Sequence, residues 1–241
     1  MDAQYGQGYA DLFKRHWWWR AREAVLLREL QRLRPASGFG SILDIGCGDG
    51  LFFDRLKEFG DVEGVEPDAS LVTPDGPHRA RIHVTPFDAT FQPGKRYSLV
   101  LMLDVLEHLP DAAASLRHAL DLLEPGGVFL ATVPAFESLW TGHDDLNHHL
   151  VRYTRRTFRE LGRAAGLRID HERYFFYWTY PVKLLVRLKE AIQHRPPVHE
   201  RVPTSIVNRA LYAVSRAEEA ILGPLRPPFG SSLLVVGGRA S

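Results

Sequence analysis

The sequence is poor in cysteine: among its 241 residues only Cys47 carries a thiol. One thiol excludes an internal disulfide framework and suits a reducing compartment. An excess of one charge is missing too. Thirty Lys and Arg stand against 29 Asp and Glu, a formal net charge of +1, so no bulk field argues for a nucleic-acid or membrane partner. No apolar run reaches the roughly 18 residues a membrane-spanning helix needs. The first ten residues lack the apolar core of a signal peptide. These absences lead us to expect a cytoplasmic chain without a transmembrane segment. Internal repeats and low-complexity tracts are absent as well.

What is present is an ordinary globular balance, 45% hydrophobic and 24% charged, organised around Ser41-Ile-Leu-Asp-Ile-Gly-Cys-Gly-Asp-Gly50. Ile42, Leu43 and Ile45 read as a short buried strand, and Leu51 onward as the start of a helix. Gly46, Gly48 and Gly50 permit a tight turn and leave the backbone bare for a ligand. Val62 and Val65 mark a second strand ending at Glu66-Pro67. A carboxylate there, roughly twenty residues after the turn, can accept hydrogen bonds from both hydroxyls of a ribose. An adenosine-bearing cofactor is therefore expected. The dinucleotide fingerprint asks for a further glycine where Leu51 stands. Asp44 and Asp49 also oppose a pyrophosphate, and they suit the ammonium of a methionine moiety.

Leu43-Asp-Ile-Gly-Cys-Gly-Asp-Gly50 resembles the first motif of class I S-adenosylmethionine (SAM)-dependent methyltransferases. Asp104-Val-Leu-Glu-His-Leu109 followed by Leu123-Glu-Pro-Gly-Gly127 is similar to the small-molecule and lipid-type members. His16-Trp-Trp-Trp-Arg-Ala-Arg22 and His143-Asp144, His148, Arg152-Tyr153-Thr154 resemble a bacterial subgroup with a histidine loop after the fifth strand. The resemblance implies an α/β, Rossmann-like, doubly wound seven-stranded sheet with the last strand antiparallel. It implies a helical N-terminal lid (1–40), a core (41–179 with 230–241) and a C-terminal helical insertion (180–229). It also implies roles. Asp44, Gly46, Cys47, Gly48 and Gly50 line the methionine and ribose end of the cofactor. Glu66 and Pro67 hold the ribose, Asp88 and Ala89 the adenine, and Leu103, Asp104 and His108 complete the cradle.

The remaining segments are read from pattern. Ala21–Leu33 continues a helix with Leu26, Leu30 and Leu33 on one stripe. The three tryptophans before it cannot all face one side; they either anchor that helix or form an aromatic lid that attracts a sulfonium. A turn-rich stretch at 72–78 shortens the second crossover, and 81–84 is the third strand. Asp88 alternatively caps a turn. Tyr97–Asp104 is a central strand covered on both faces. Asp111 caps a helix through Leu123, 125–127 turns it into a fifth strand over 128–133, and 167–178 is the sixth. Thr154 or Thr157 caps a helix ended by Gly166. Arg152, Arg155, Arg156, Arg159 and Arg163 form a solvated face or an anion clamp. Between 180 and 229, two amphipathic segments are punctuated by prolines 196, 197, 203, 224, 227 and 228. They pack over the site or mediate a dimer, and Lys183, Arg187 and Lys189 allow peripheral membrane contact.

His148, with His143 and His108 as alternatives, is the expected proton acceptor. Loop histidines that only hydrogen-bond backbone are the structural alternative. His16, Trp18, Arg22, Asp144, His149, Arg152 and Tyr153 are expected at the lid or substrate. A metal at His143, Asp144, His148 and His149 is set aside, because their spacing is not that of a helical pair and no cysteine joins them. The acceptor expected is a small molecule methylated on O or N, the chain a monomer or homodimer without nucleic acid. A peptide carboxyl methyltransferase, a nicotinamide-dependent oxidoreductase and a non-catalytic SAM-binding protein are the other readings.

Overall fold

The computed structural model describes residues 10–193 and 201–240. The first nine residues of the expected lid, and Pro196 and Pro197, lie outside the described residues. Residues 10–15 are helical, and helix α1 (Trp17–Leu33) follows, capped by His16, whose Nδ1 accepts the Trp18 N–H at 3.3 Å. Seven strands then form one sheet: β1 (Ser41–Ile45), β2 (Asp61–Glu66), β3 (Ile82–Val84), β4 (Tyr97–Leu103), β5 (Leu123–Pro134), β6 (Leu167–Phe175) and β7 (Ser232–Arg239). Their order is β3-β2-β1-β4-β5-β7-β6, and β7 runs antiparallel to both its neighbours. The expected Rossmann-like sheet is the observed one.

The alternation of apolar side chains explains how the sheet fills. Along β4, Val100 and Met102 face one core while Leu99 and Leu101 face the other, and all four are fully buried. The β7 residues split the same way, Leu233 and Val235 against Leu234 and Val236. The first core is covered by α3 (Ala112–Asp121) through Leu116 and Leu120 and by α5 (Arg155–Ala165) through Phe158. The second takes Leu26 and Leu30 of α1 and Phe53 and Leu56 of the short α2 (Phe53–Leu56). Full burial of side chains of this size is worth about 1.5–3 kcal/mol each.

Three boundaries differ from expectation. The helix expected at Leu51 is a single turn beginning at Phe53. The Pro125-Gly126-Gly127 segment is not a turn before β5 but a bulge inside it, since Leu123 already pairs with Tyr97 and Val128 resumes with Leu99. Strand β6 stops at Phe175 because Phe176 takes φ +59°, which a strand cannot continue through.

Among the described residues the insertion carries two long helices with different tasks. Helix α6 (Thr179–Gln193) crosses the loop after β5, where Arg187 donates to the Glu137 carbonyl at 3.0 Å and Glu190 accepts the Gly142 N–H at 3.0 Å. Helix α7 (Ser205–Leu222) runs along α1. Its Asn208 accepts the Trp17 N–H at 2.8 Å and donates to the Arg15 carbonyl at 2.7 Å. Glu219 of α7 forms a buried two-pronged pair with Arg173 of β6, at 2.9 and 3.1 Å. No helix among the described residues is long and apolar enough to cross a membrane.

Candidate active site

Parallel strands place ligands at their carboxyl ends, and a cavity of about 1140 Å³ opens there. It exceeds the usual several-hundred-Å³ pocket for one small ligand, which leaves room for two molecules side by side.

One wall is the glycine turn. Gly46, Cys47, Gly48 and Asp49 line it. Gly48 has φ +54°, and an added Cβ would meet nothing within 4 Å, so the space above its backbone is open. Gly46 differs: a Cβ there would lie 2.6 Å from Val105 Cγ2. Gly50 is buried and outside the lining. At the end of β2 the two oxygens of Glu66 accept the Gly48 and Asp68 N–H groups, each at 2.9 Å. Each oxygen keeps a lone pair for a ribose hydroxyl. Burial raises the Glu66 carboxyl above its ordinary range, and those two N–H groups oppose the rise. Pro67 and Leu103 line the cavity beside it. Asp44 lies beneath, 4% exposed and outside the lining, pushed to about 7 by burial against the opposing charge of Arg22. The Cys47 thiol is raised by burial and by Asp44, which keeps it protonated and unsuited to be a nucleophile.

Asp88 and Ala89 do not line this wall. Both are exposed, and Asp88 accepts from the N–H and hydroxyl of Thr90 at 2.8 and 2.6 Å, the turn-capping arrangement. Pro86 and Phe87 line the cavity there instead. Asp49 pins the shortened crossover, accepting the Thr73 N–H and hydroxyl at 2.8 and 2.9 Å.

The aromatic wall comes from α1. His16 and Trp17, Trp18 and Trp19 all contribute to it, with Trp178. Trp18 stacks on Phe176 at 5.5 Å, and Trp17 packs against Trp178 at 5.3 Å. The same side chains that anchor α1 by ring packing thus also face the cavity. Arg22 sits behind this wall and outside the lining, 2.7 Å from Asp104 and 3.1 Å from Thr132 Oγ1. Asp104 itself lines the cavity with φ +59°, a conformation that costs about 1–3 kcal/mol and is typical of functional sites.

The opposite wall is the histidine loop, α4 (Gly142–Leu146) and the residues after it. Asp144 is 0% exposed and is held by Arg152 at 2.8 and 3.0 Å and by His149 Nδ1 at 2.7 Å. Burial raises the Asp144 carboxyl, but the His149 hydrogen bond and the Arg152 charge outweigh it and hold it well below the usual range. Asp144 is therefore an organiser of the loop. Arg152, which lines the cavity, is committed to Asp144. Tyr153 is buried and outside the lining, its hydroxyl donating to the Leu106 carbonyl at 3.3 Å. Arg155 and Arg159 pair with Glu172.

His108, His143, His148 and His149 all reach the cavity. Burial lowers His143 to about 3 and His108 to about 4. His148 is exposed at the rim with φ +55°. Glu107, which sequence reasoning passed over, also lines the cavity and is 0% exposed. Burial and the neighbouring Asp104 hold its carboxyl well above the usual range.

The sheet order, its antiparallel last strand, and a bare glycine turn beside a ribose-reaching carboxylate define a Rossmann-like protein of the class I methyltransferase type. A family model described as a methyltransferase domain matches residues 18–172, well over half of the chain, and the chain belongs to that family of SAM-dependent methyltransferases. SAM is its cofactor, and the open face of Gly48 and the free lone pairs of Glu66 fit it. The nicotinamide reading falls with that membership.

A ubiquinone biosynthesis O-methyltransferase of Azorhizobium caulinodans is 32% identical over 140 residues, 53% of this chain and 55% of the relative. One of Paramagnetospirillum magneticum is 33% identical over 121 residues, 47% of this chain and 48% of the relative. The chain thus spans about half the length of the curated relatives it matches. Among solved structures, the complex between the Haloferax volcanii Trm112 methyltransferase activator and a methyltransferase matches with TM-score 0.59 and 21% identity, covering 99% of this chain and 94% of that one. A SAM-dependent methyltransferase from Archaeoglobus fulgidus gives TM-score 0.53 and 18% identity over 89% of this chain and 93% of that one. These two likenesses concern the fold.

Proposed function

We propose that this protein methylates a hydroxyl oxygen of a small molecule, such as a natural product, a sugar or a lipid-linked intermediate. The observation that carries the reading is one cavity running from the glycine turn and Glu66 to the histidine loop, with aromatic side chains between. The relatives' name, an O-methyltransferase of ubiquinone biosynthesis, supports a hydroxyl acceptor.

SAM supplies an activated methyl group, so the protein's work is positional, an effect worth up to about 7–11 kcal/mol. Gly46, Cys47 and Gly48 present bare backbone, and Glu66 holds the ribose. Trp17, Trp18, Trp19 and Trp178 exclude water and favour a cationic neighbour. His148 accepts the hydroxyl proton and, being exposed at the rim, returns it to solvent. Burial disfavours the charged form of His108 and His143, which makes them poorer acceptors near neutral pH. A peptide carboxyl acceptor is less favoured, since three of the five arginines offered as its clamp, Arg152, Arg155 and Arg159, are paired with Asp144 or Glu172. Peripheral membrane contact is supported by exposed Leu185, Leu188 and Ile192 on α6, interleaved with basic residues.

Calorimetric titration with S-adenosylhomocysteine, followed by a radiolabelled-methyl assay over a panel of hydroxyl-bearing acceptors, tests this reading. His148→Ala is expected to lower turnover at least a hundredfold with cofactor affinity unchanged. Unaltered turnover removes His148 from the mechanism; no product from any acceptor favours a non-catalytic binding protein.

A further inference from the structure

The 143–149 loop is joined by a further carboxylate that the fold supplies from the turn after β4. Leu150 N–H donates to the Glu107 carbonyl at 2.8 Å, so the loop is pinned to the turn after β4. Glu107, His108 and His149 thereby offer three ligand atoms that all lie within 4.8 Å of one another. All three residues line the cavity.

Glu107 is the unusual member. Its side chain is completely buried, yet among the described residues neither carboxylate oxygen has a hydrogen-bond partner. Buried polar atoms without partners are rare and costly. Arg22 and Arg152, whose charges reach it, are committed to Asp104 and Asp144.

His149 stands as a metal-binding imidazole does. Because Asp144 is ionised, His149 Nδ1 carries the proton of their 2.7 Å contact, which turns Nε2 to the side away from the carboxylate. A carboxylate behind the imidazole is the usual support of a ligating histidine. The His108 ring packs edge-on against that of His149, centroids 4.8 Å apart.

We propose that Glu107, His108 and His149 bind a divalent transition ion of the zinc class, open on its cavity side, where the acceptor hydroxyl oxygen coordinates. Two nitrogens and one carboxylate oxygen suit zinc or its neighbours better than magnesium or calcium. Zinc ligands in a tetrahedral site lie about 3.4 Å apart, so side-chain movements of roughly an ångström close the cluster. Coordination lowers the pKa of the hydroxyl. Its proton passes to His148, the freed oxygen lone pair takes the methyl group, and the carbon–sulfur electron pair stays on sulfur. This inference rests on the reading that a hydroxyl acceptor enters the cavity.

The test uses the full chain stripped with a chelator. Titration with Co²⁺, followed by visible absorption, and with Zn²⁺, followed by calorimetry, runs beside S-adenosylhomocysteine binding. One Co²⁺ per chain is expected, with the intense bands of a four- or five-coordinate ion and displacement by Zn²⁺. Glu107→Gln and His149→Ala are each expected to weaken Zn²⁺ binding at least tenfold while circular dichroism stays unchanged. Absence of a saturable Co²⁺ spectrum in the unaltered protein overturns the proposal, and so does unchanged Zn²⁺ affinity in both variants. Cofactor binding without metal binding sinks the metal site alone; metal binding without cofactor binding sinks the methyl-transfer reading instead.

Discussion

The two ends of the cavity are held by different means. At the glycine turn the shape is local: positive φ at Gly46 and Gly48, a neighbouring strand, and one carboxylate eighteen residues on. At the histidine loop the shape depends on buried charges brought from several elements. Asp144, Arg152 and His149 lock one another, Glu107 comes from the turn after β4, and α6 is bonded to the loop through Arg187 and Glu190. Where an end is built from backbone, it is disturbed by adding atoms. An end built from ion pairs is disturbed by removing them.

The largest effect expected from that difference is at Arg152. Arg152→Ala strips the buried Asp144 of its guanidinium partner, a loss of about 3–5 kcal/mol. Denaturant unfolding reads it; a change under 1 kcal/mol would mean that water already shields the pair. Gly46→Ala and Gly48→Ala sharpen the contrast at the other end. At Gly46 the new methyl group meets Val105 at 2.6 Å, and the melting temperature falls by the equivalent of about 2 kcal/mol. At Gly48 the methyl group meets only open space, so stability falls less while S-adenosylhomocysteine affinity drops at least tenfold. Equal affinity losses at both glycines would break the distinction between packing and contact.

The smallest effect concerns another long-range carboxylate. Glu218 of α7 accepts the Tyr177 and Trp178 N–H groups at 3.2 and 2.7 Å, yet burial pushes it to about 7 from an ordinary 4.5. Between those values the folded chain binds a proton that the unfolded chain has released. Its contribution therefore declines as pH rises from about 4.5 to about 7. Glu218→Gln should flatten that part of the melting-temperature profile, and an unchanged slope assigns it to other groups.

The same division decides what could be seen in the sequence. The glycine turn, its strands and Glu66 were legible because their signals sit within a few residues of their effects. So was β4, whose run from Tyr97 to Leu103 is buried on both faces. The bulge at Pro125-Gly126-Gly127 looked like a turn because composition cannot tell whether the chain re-pairs afterwards. Asp88 has both a turn-capping chemistry and a family precedent, and only its exposure separates them. Arg152 was counted with its neighbours as a clamp or a solvated face. Its partner stands on α4 eight residues earlier, and nothing local announces that choice. Glu107 was overlooked for the same reason: an acidic residue beside His108 reads as surface until the fold buries it.

Asn208 has one more consequence. It satisfies both a donor and an acceptor of the backbone around Arg15 to Trp17, on the far side of nearly two hundred residues of intervening chain. Shortening the protein ahead of the tryptophans would strand that amide and loosen the last long helix as well. Engineering at one extremity, whether a truncation or a rigid fusion, will therefore be felt at both.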